Sequence, residues 1–481
     1  MFSIATLIIV FFIKLLLILT LKPVYWNDEM IIAEISKQDV FIILNLILAE
    51  RHPPLFYFLV KFIPTDKLLL TRIILTIFNH GLILAVLLQI KKVKTFFSEG
   101  IDIGLSLFLV SASFFIMSGD LKSQVLSLPL VFYALYLIYR YKKDNLNFAF
   151  NLNIIFSLIL LNDYFDYIFI TSLFAVRTFI EKDFQTLRKV FIFQTGIFSI
   201  FFFIFLKNQM ILNIHNFAWV SAYSESNSGN FLRNLITQFT AYESYTLFPF
   251  AIFCLSLSII GLFGIYKKTD KSQFFLIFLY IVGIFYLNSL FGFFIRARYS
   301  YFLFLLICLL SGIGLSVFLK NKKAIFAIIF AYLLIGANGY IKTKIHFNNF
   351  TYGLKSELAK ESEPLNVGFI TNGQNVFPYV FNRYYLSQKN VIPINYANGL
   401  VFSQKMTQED ILAARDPEWS QNLLNTIKDN KINTIFYTDN MYLRKEEYHY
   451  LVEKELNLLC KNKAKVEINK LPVLLKYSNC Y

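Results

Sequence analysis

Apolar runs separated by short clusters of Lys and Arg are the strongest constraint on this chain. They occupy Ser3–Leu21, Leu68–Ile90, Ile103–Ser118, Ser123–Tyr141, Asn147–Leu161, Tyr164–Phe179, Val190–Leu206, Tyr245–Tyr266, Phe274–Phe291, Tyr299–Leu319 and Ala324–Tyr340. In hydrocarbon every backbone amide must be satisfied within its own segment, so runs of about 20 apolar residues become membrane-spanning helices. A polytopic α-helical membrane protein with roughly eleven transmembrane helices is predicted. Composition agrees, because 16% charged against 56% hydrophobic residues over 481 positions is too apolar for a water-soluble domain of this size.

The formal net charge of +15 does not point to nucleic acid. The basic residues lie in loops, at Lys91-Lys92-Lys94, Arg140-Lys142-Lys143, Lys182 with Arg188-Lys189, Lys267-Lys268-Lys271 and Lys320-Lys322-Lys323. With a cytoplasmic amino terminus every one of these clusters falls on the cytoplasmic side of a plasma membrane. The loop 22–67, the tip Ser118–Lys122, the loop Lys207–Ser244 and the whole tail after Ile341 then face outward. The first run has no basic start and no A-x-A-like cleavage site, only Lys14 in its middle, and is read as a retained anchor.

From about Lys342 the chain changes character. Short β-type runs (Asn366–Thr371, Val391–Asn395, Thr434–Tyr437, Leu471–Lys476) alternate with helical stretches (Trp419–Asp429, Lys445–Leu458), which predicts a soluble α/β domain over residues 342–481. Residues 1–341 form the membrane domain, and the tail caps its outward side. Cys254 and Cys308 sit in apolar runs, whereas Cys460 and Cys480 lie in the tail, either bridged or as two separate thiols.

The outward loop 22–67 carries Asp28-Glu29 just after the first run. An amphipathic stretch follows at Met30–Glu34, then Arg51-His52-Pro53-Pro54-Leu55-Phe56-Tyr57, where a Pro pair starts a helix expected to lie on the membrane. With these residues the chain resembles the GT-C superfamily of integral-membrane glycosyltransferases, in the branch of the protein O-mannosyltransferases and the lipid A aminoarabinose transferases. The family shows an Asp-Glu pair after the first helix, an H-P-P-L-Y-Y-like segment and an Arg early in the second helix, matched here by Asp28-Glu29, His52–Tyr57 and Arg72. An acidic-x-basic element is matched by Asp120 and Lys122, with Lys where Arg is usual, and an Arg-Tyr opening a late helix by Arg296, Arg298 and Tyr299. The resemblance covers about residues 1–320. It implies a transferase that takes sugar from a polyprenyl-phosphate-linked donor on the outer face of the bilayer, for a lipid A, glycan or protein acceptor.

That chemistry needs a carboxylate to accept the acceptor's proton and cations to stabilise the departing phosphate. Asp28 is the expected base and Glu29 its neighbour, turned toward the helix around His52. Lys122, Arg296 and Arg298 are the expected cations, with His52, Asp120 and Tyr299 as further substrate contacts. Asn162, Asp163, Tyr164 and Asp166 read as a polar hairpin tip before they read as a binding element. A single displacement inverts the anomeric centre and asks for no carboxylate nucleophile. The His residues are scattered, which gives no support for a divalent metal site, and phosphate-binding Gly-rich loops are lacking. Two rivals are a flippase or secondary transporter, for which Gly/Pro-broken and charged spans would be expected, and a surface-polysaccharide polymerase or ligase, marked by a large late outward loop.

Overall fold

Apolar runs become helices wherever they are described, beginning with Phe2–Leu21 and Leu68–Ile90. The computed structural model describes residues 2–25, 27–50, 53–92, 98–140, 146–207, 236–239, 248–267, 271–290, 297–361, 366–371, 381, 384–385, 390–394, 419–438, 456–466 and 474–480. Among these, Phe2–Leu21, Leu68–Ile90, Phe184–Ile204, Pro249–Tyr266, Tyr301–Phe318 and Lys322–Lys360 are long and apolar enough to cross a membrane. Gln124–Arg140, Phe148–Leu160 and Phe274–Gly283 are shorter apolar helices. The chain is a multi-pass membrane protein.

The run Ile103–Ser118 is not one helix. It breaks into Ser98–Leu109 and Ala112–Met117, because Ser111 turns extended (φ −72°, ψ 151°) and its hydroxyl accepts from Phe114 N, capping a new helix. The break sets the start of the turn that carries Asp120.

Two compact units emerge, Met1–Lys22 with Glu50–Thr343 and Pro23–Ala49 with Lys344–Tyr481. The division falls inside one long helix, Lys322–Glu361, and inside the loop 22–67, whose first part belongs to the second unit. In the first unit, helix Ala297–Phe318 packs closely on Ser98–Leu109 and Phe248–Tyr266. A Cβ at Gly312 would lie 2.5 Å from Gly104 Cα, so only glycine permits this backbone approach. Hydroxyls bind the same helices together, with Ser258 Oγ 2.8 Å from Ser311 Oγ.

The second unit holds a five-stranded sheet in the order β2-β1-β3-β5-β4. Its strands are β1 (Val367–Thr371), β2 (Val391–Pro393), β3 (Thr434–Thr438), β4 (Asn462–Val466) and β5 (Leu474–Ser478). β1 pairs parallel with β2 and β3, and β5 pairs antiparallel with β3 and β4. Helix Trp419–Asp429 lays Leu423 and Ile427 on Ile370, Ile435 and Tyr437, forming one apolar core. Phe369 leans instead on Phe381, with ring centroids 5.8 Å apart, and is fully buried.

Cys460 and Cys480 form a disulfide. Asn462 pairs with Ser478, so the bridge lies two residues beyond that pair and closes the open end of the β4–β5 ladder. Replacing both cysteines by serine is expected to cost about 3 kcal/mol, from the closure of a loop of roughly 20 residues. Faster proteolysis of the second unit in the detergent-solubilised full chain would register the loss. Unchanged proteolysis would show that the sheet stands without its staple.

Candidate functional site

The first unit gathers ionisable groups that the sequence scatters. Helix Leu68–Ile90 buries Thr71, Arg72, Leu75, Thr76, Asn79, His80, Ile83, Val86 and Leu87, an inward stripe at helical spacing. Five members of that stripe, Thr71, Arg72, Thr76, Asn79 and His80, are polar residues turned into the bundle. Arg72 is fully buried, and its Nη1 lies 2.6 Å from Asp120 Oδ1, whose side chain is 4% exposed. The sequence had singled out both residues without pairing them.

The pair is held from several sides. Asp120 follows helix Ala112–Met117, and its carbonyl accepts from Lys122 N at 2.8 Å, leaving Lys122 half-buried on the turn. Pro129 lies inside helix Gln124–Arg140, and proline has no N–H to give the carbonyl four residues earlier. That carbonyl, of Val125, accepts instead from Asn79 Nδ2 at 2.7 Å. His80 Nδ1 lies 2.9 Å from the Thr76 carbonyl, so it carries the ring proton, and its ring sits between Phe11 and Phe114, centroids 5.4 and 5.3 Å away.

Lys14 completes the cluster. It is fully buried in the first helix and donates to the Phe115 carbonyl and to Ser118 Oγ, the latter at 2.8 Å. Its ammonium stands 5.7 Å from the Tyr340 ring centroid. Lys14 and Arg72 therefore hold the same stretch of chain, Lys14 at Phe115 and Ser118 and Arg72 at Asp120. The sequence reading noted Lys14 only as an interruption of the first run. The available signal was the expense of a charge in mid-span, which a chain keeps for a use.

The second unit carries the acidic pair. Asp28 and Glu29 are successive residues of helix Asn27–Ser36. Glu29 is fully buried and Glu34 is 3% exposed. The Asp28 side chain lies outside the described residues. Met30–Glu34, expected to be amphipathic, is buried throughout. Around this helix, the Tyr25 carbonyl accepts from Tyr385 Oη at 2.9 Å and Val24 N donates to Asn348 Oδ1 at 3.0 Å. Lys37 places its ammonium 4.8 Å from the Tyr384 ring centroid.

His52 and Arg296 lie outside the described residues. Arg298 and Tyr299 fall in the first turn of helix Ala297–Phe318, with side chains outside the description. Pro54 caps a six-residue helix, Leu55–Val60, too short at about 9 Å to cross a bilayer. It buries Phe56, Tyr57 and Val60, and Leu55 N donates to the Leu161 carbonyl at 2.9 Å. At the hairpin tip, Asp163 caps helix Tyr164–Ile180 and Asn162 Nδ2 reaches Ser127 Oγ at 2.7 Å. Asp166 is buried there, facing Ser127 and Tyr301. Among the described residues no three His, Cys, Asp or Glu side chains are grouped as metal ligands would be.

No protein-family model and no curated protein matches the chain. Among solved structures it is similar to ArnT from Cupriavidus metallidurans bound to undecaprenyl phosphate. The two share 9% identity and a TM-score of 0.51, over 98% of this chain and 97% of that one. It is also similar to an Archaeoglobus fulgidus oligosaccharyltransferase tethered by a disulfide to an acceptor peptide containing the NVT sequon. There identity is 14% and the TM-score 0.45, over 91% of this chain and 69% of that one. The likeness to ArnT along nearly the whole of both chains shows the GT-C type of fold that Asp28-Glu29 and His52–Tyr57 had implied.

Proposed function

We propose that this chain is a membrane glycosyltransferase that moves a sugar from a polyprenyl-phosphate-linked donor to a lipid A, glycan or protein acceptor on the outer face of the plasma membrane. The observation that carries this reading is the buried Arg72–Asp120 pair with Lys14 and Lys122, on a fold shared with a structure that holds undecaprenyl phosphate.

As the bond between the anomeric carbon and the phosphate oxygen breaks, negative charge grows on the leaving phosphate, and fixed cations lower that barrier. Arg72 and Lys122 take this role, joined by Arg296 and Arg298. Asp120 holds the Arg72 guanidinium in one orientation, so that stabilisation needs little rearrangement during the reaction. Asp28 accepts the acceptor's proton, and a single displacement inverts the sugar. Cationic side chains supply the charge in this scheme, and no divalent metal or other cofactor is called for.

The test is a transfer assay in membranes holding the full chain or its Asp28→Asn form, offered a panel of undecaprenyl-phosphate sugars. Consumption of one donor by the intact protein and its loss in the variant are expected. Consumption no greater than in membranes without the protein would sink the proposal.

The same reading requires the amino terminus inside and the second unit outside. A reporter fused after Tyr481 is expected to be active only outside the cytoplasm, and one fused near Lys143 only inside. A reporter after Tyr481 that works inside would put Asp28, Asp120 and Arg298 on the wrong face for a lipid-linked donor.

A further inference from the structure

We propose that Asn162, Asp166 and Tyr301, gathered around Ser127, form a binding site for a desolvated alkali-metal cation. The site uses none of the side chains given a part in sugar transfer and stands independently of that reading.

Three elements of the first unit meet here. Ser127 belongs to helix Gln124–Arg140, Asn162 precedes helix Tyr164–Ile180, Asp166 lies in the first turn of that helix, and Tyr301 lies near the start of helix Ala297–Phe318. All four residues are at most 2% exposed. Asn162 Nδ2 donates to the Ser123 carbonyl at 3.1 Å and to Ser127 Oγ at 2.7 Å. A carbonyl can only accept, so the amide cannot be turned over, and Oδ1 is its remaining end. Asp166 and Tyr301 face each other and the same Ser127 hydroxyl.

Three oxygens are left over. Asn162 Oδ1, Asp166 Oδ2 and Tyr301 Oη are fully enclosed and have no aligned hydrogen-bond partner. Asp166 makes no ion pair among the described residues, and its charged neighbour, Asp163, has the same sign. A buried carboxylate without a counter-charge is costly to keep. Water would serve the oxygens and leave the charge, whereas a proton would neutralise the carboxyl and supply a single donor. A cation answers both needs, because it balances the charge and takes several oxygens at once. The donor set is all oxygen, which suits a hard ion. One carboxylate among neutral oxygens matches a single positive charge. Asp163 is engaged in the helix cap instead, its Oδ1 accepting from Phe165 N at 2.9 Å and Asp166 N at 3.4 Å. Magnesium dehydrates reluctantly and keeps several waters, which fits an enclosed site poorly. The bound ion ties the turn at Asn162 to the opening of helix Ala297–Phe318, so its occupancy is read in the stability of the bundle.

The experiment uses the full chain in detergent, with sodium, potassium, choline and magnesium chlorides matched in ionic strength. The thermal unfolding midpoint is expected to rise by about 2 °C for each tenfold increase in sodium or potassium above its Kd, and to stay level in choline. Asp166→Asn, which keeps the shape and drops the charge, is expected to abolish the rise. Tyr301→Phe, which removes one oxygen, is expected to move the response to about tenfold higher salt. Calorimetric titration of the native chain with each salt reads binding without any substitution, and it decides the matter should a variant fail to fold. Equal midpoints in choline and in both alkali salts, or no saturable heat from either of them, would overturn the site. A native response in Asp166→Asn would overturn its ligands, and a response to magnesium alone would overturn the alkali-metal assignment.

Discussion

Asp28→Asn is expected to slow sugar transfer by ~10²–10⁴-fold while donor still binds, the range typical of a lost general base. Asparagine keeps the size and polarity of the side chain and removes its ability to take a proton. Glu29→Gln is expected to behave differently. Glu29 is fully buried in helix Asn27–Ser36, so its substitution should act first on the amount of folded protein and less on turnover per folded molecule. Single-turnover transfer normalised to folded protein separates the two effects. A larger rate loss in the Glu29 variant would make Glu29 the base, and unaffected rates in both would leave the pair without a chemical role.

Breaking the buried pair is the second large effect. Arg72→Met leaves the Asp120 carboxylate, 4% exposed, without its 2.6 Å partner, and Asp120→Leu takes the carboxylate from the guanidinium in the same way. Each loss is expected to cost about 3–5 kcal/mol, because a buried charge loses its hydrogen-bonded ionic partner. The double variant removes both charges and should recover most of that stability, since an apolar replacement of a buried pair is often neutral. Donor binding should stay lost in the double variant, which separates the pair's structural work from its work on the ligand. Thermal unfolding and undecaprenyl phosphate binding in detergent measure the two. Additive losses of stability would show that the residues do not act as a pair.

Much of the architecture was legible because a bilayer admits few solutions. Leu68–Ile90 is the same residue for residue in sequence and structure, and Trp419–Asp429 agrees as closely in the second unit. Errors arose where a local interaction outweighed hydropathy. Ser111 splits a continuous apolar run by capping a helix inside it. β4, Asn462–Val466, escaped notice because it is an edge strand with four of its five residues exposed and two lysines, which leaves no alternation to read. The strand expected over Leu471–Lys476 is present at Leu474–Lys476 and runs on to Ser478, while residues 471–473 lie outside the described residues.

The candidate site was legible as residue types and hidden as a constellation. Asp120 and Arg72 were visible as motif residues, yet 48 positions separate them and only folding brings them together. Lys14 is a further 58 residues before Arg72, so no local window could connect it to Ser118. Pro129 and Asn79 make the same point. A proline frees one carbonyl, and the side chain that compensates lies 46 residues from that carbonyl, on another helix.

The bridge between Cys460 and Cys480 gives the protein a chemical memory of its surroundings. Thiols that close the end of a strand pair stay reduced in the cytosol and join in an oxidising compartment. Of the four cysteines, Cys254 and Cys308 remain thiols within the bundle. Two alkylatable groups in the denatured protein before reduction, and four after it, would record that the second unit had left the cytosol. The unfused, unaltered chain then reports its own orientation, and a cell that fails to deliver the unit outward would betray it by thiol titration alone.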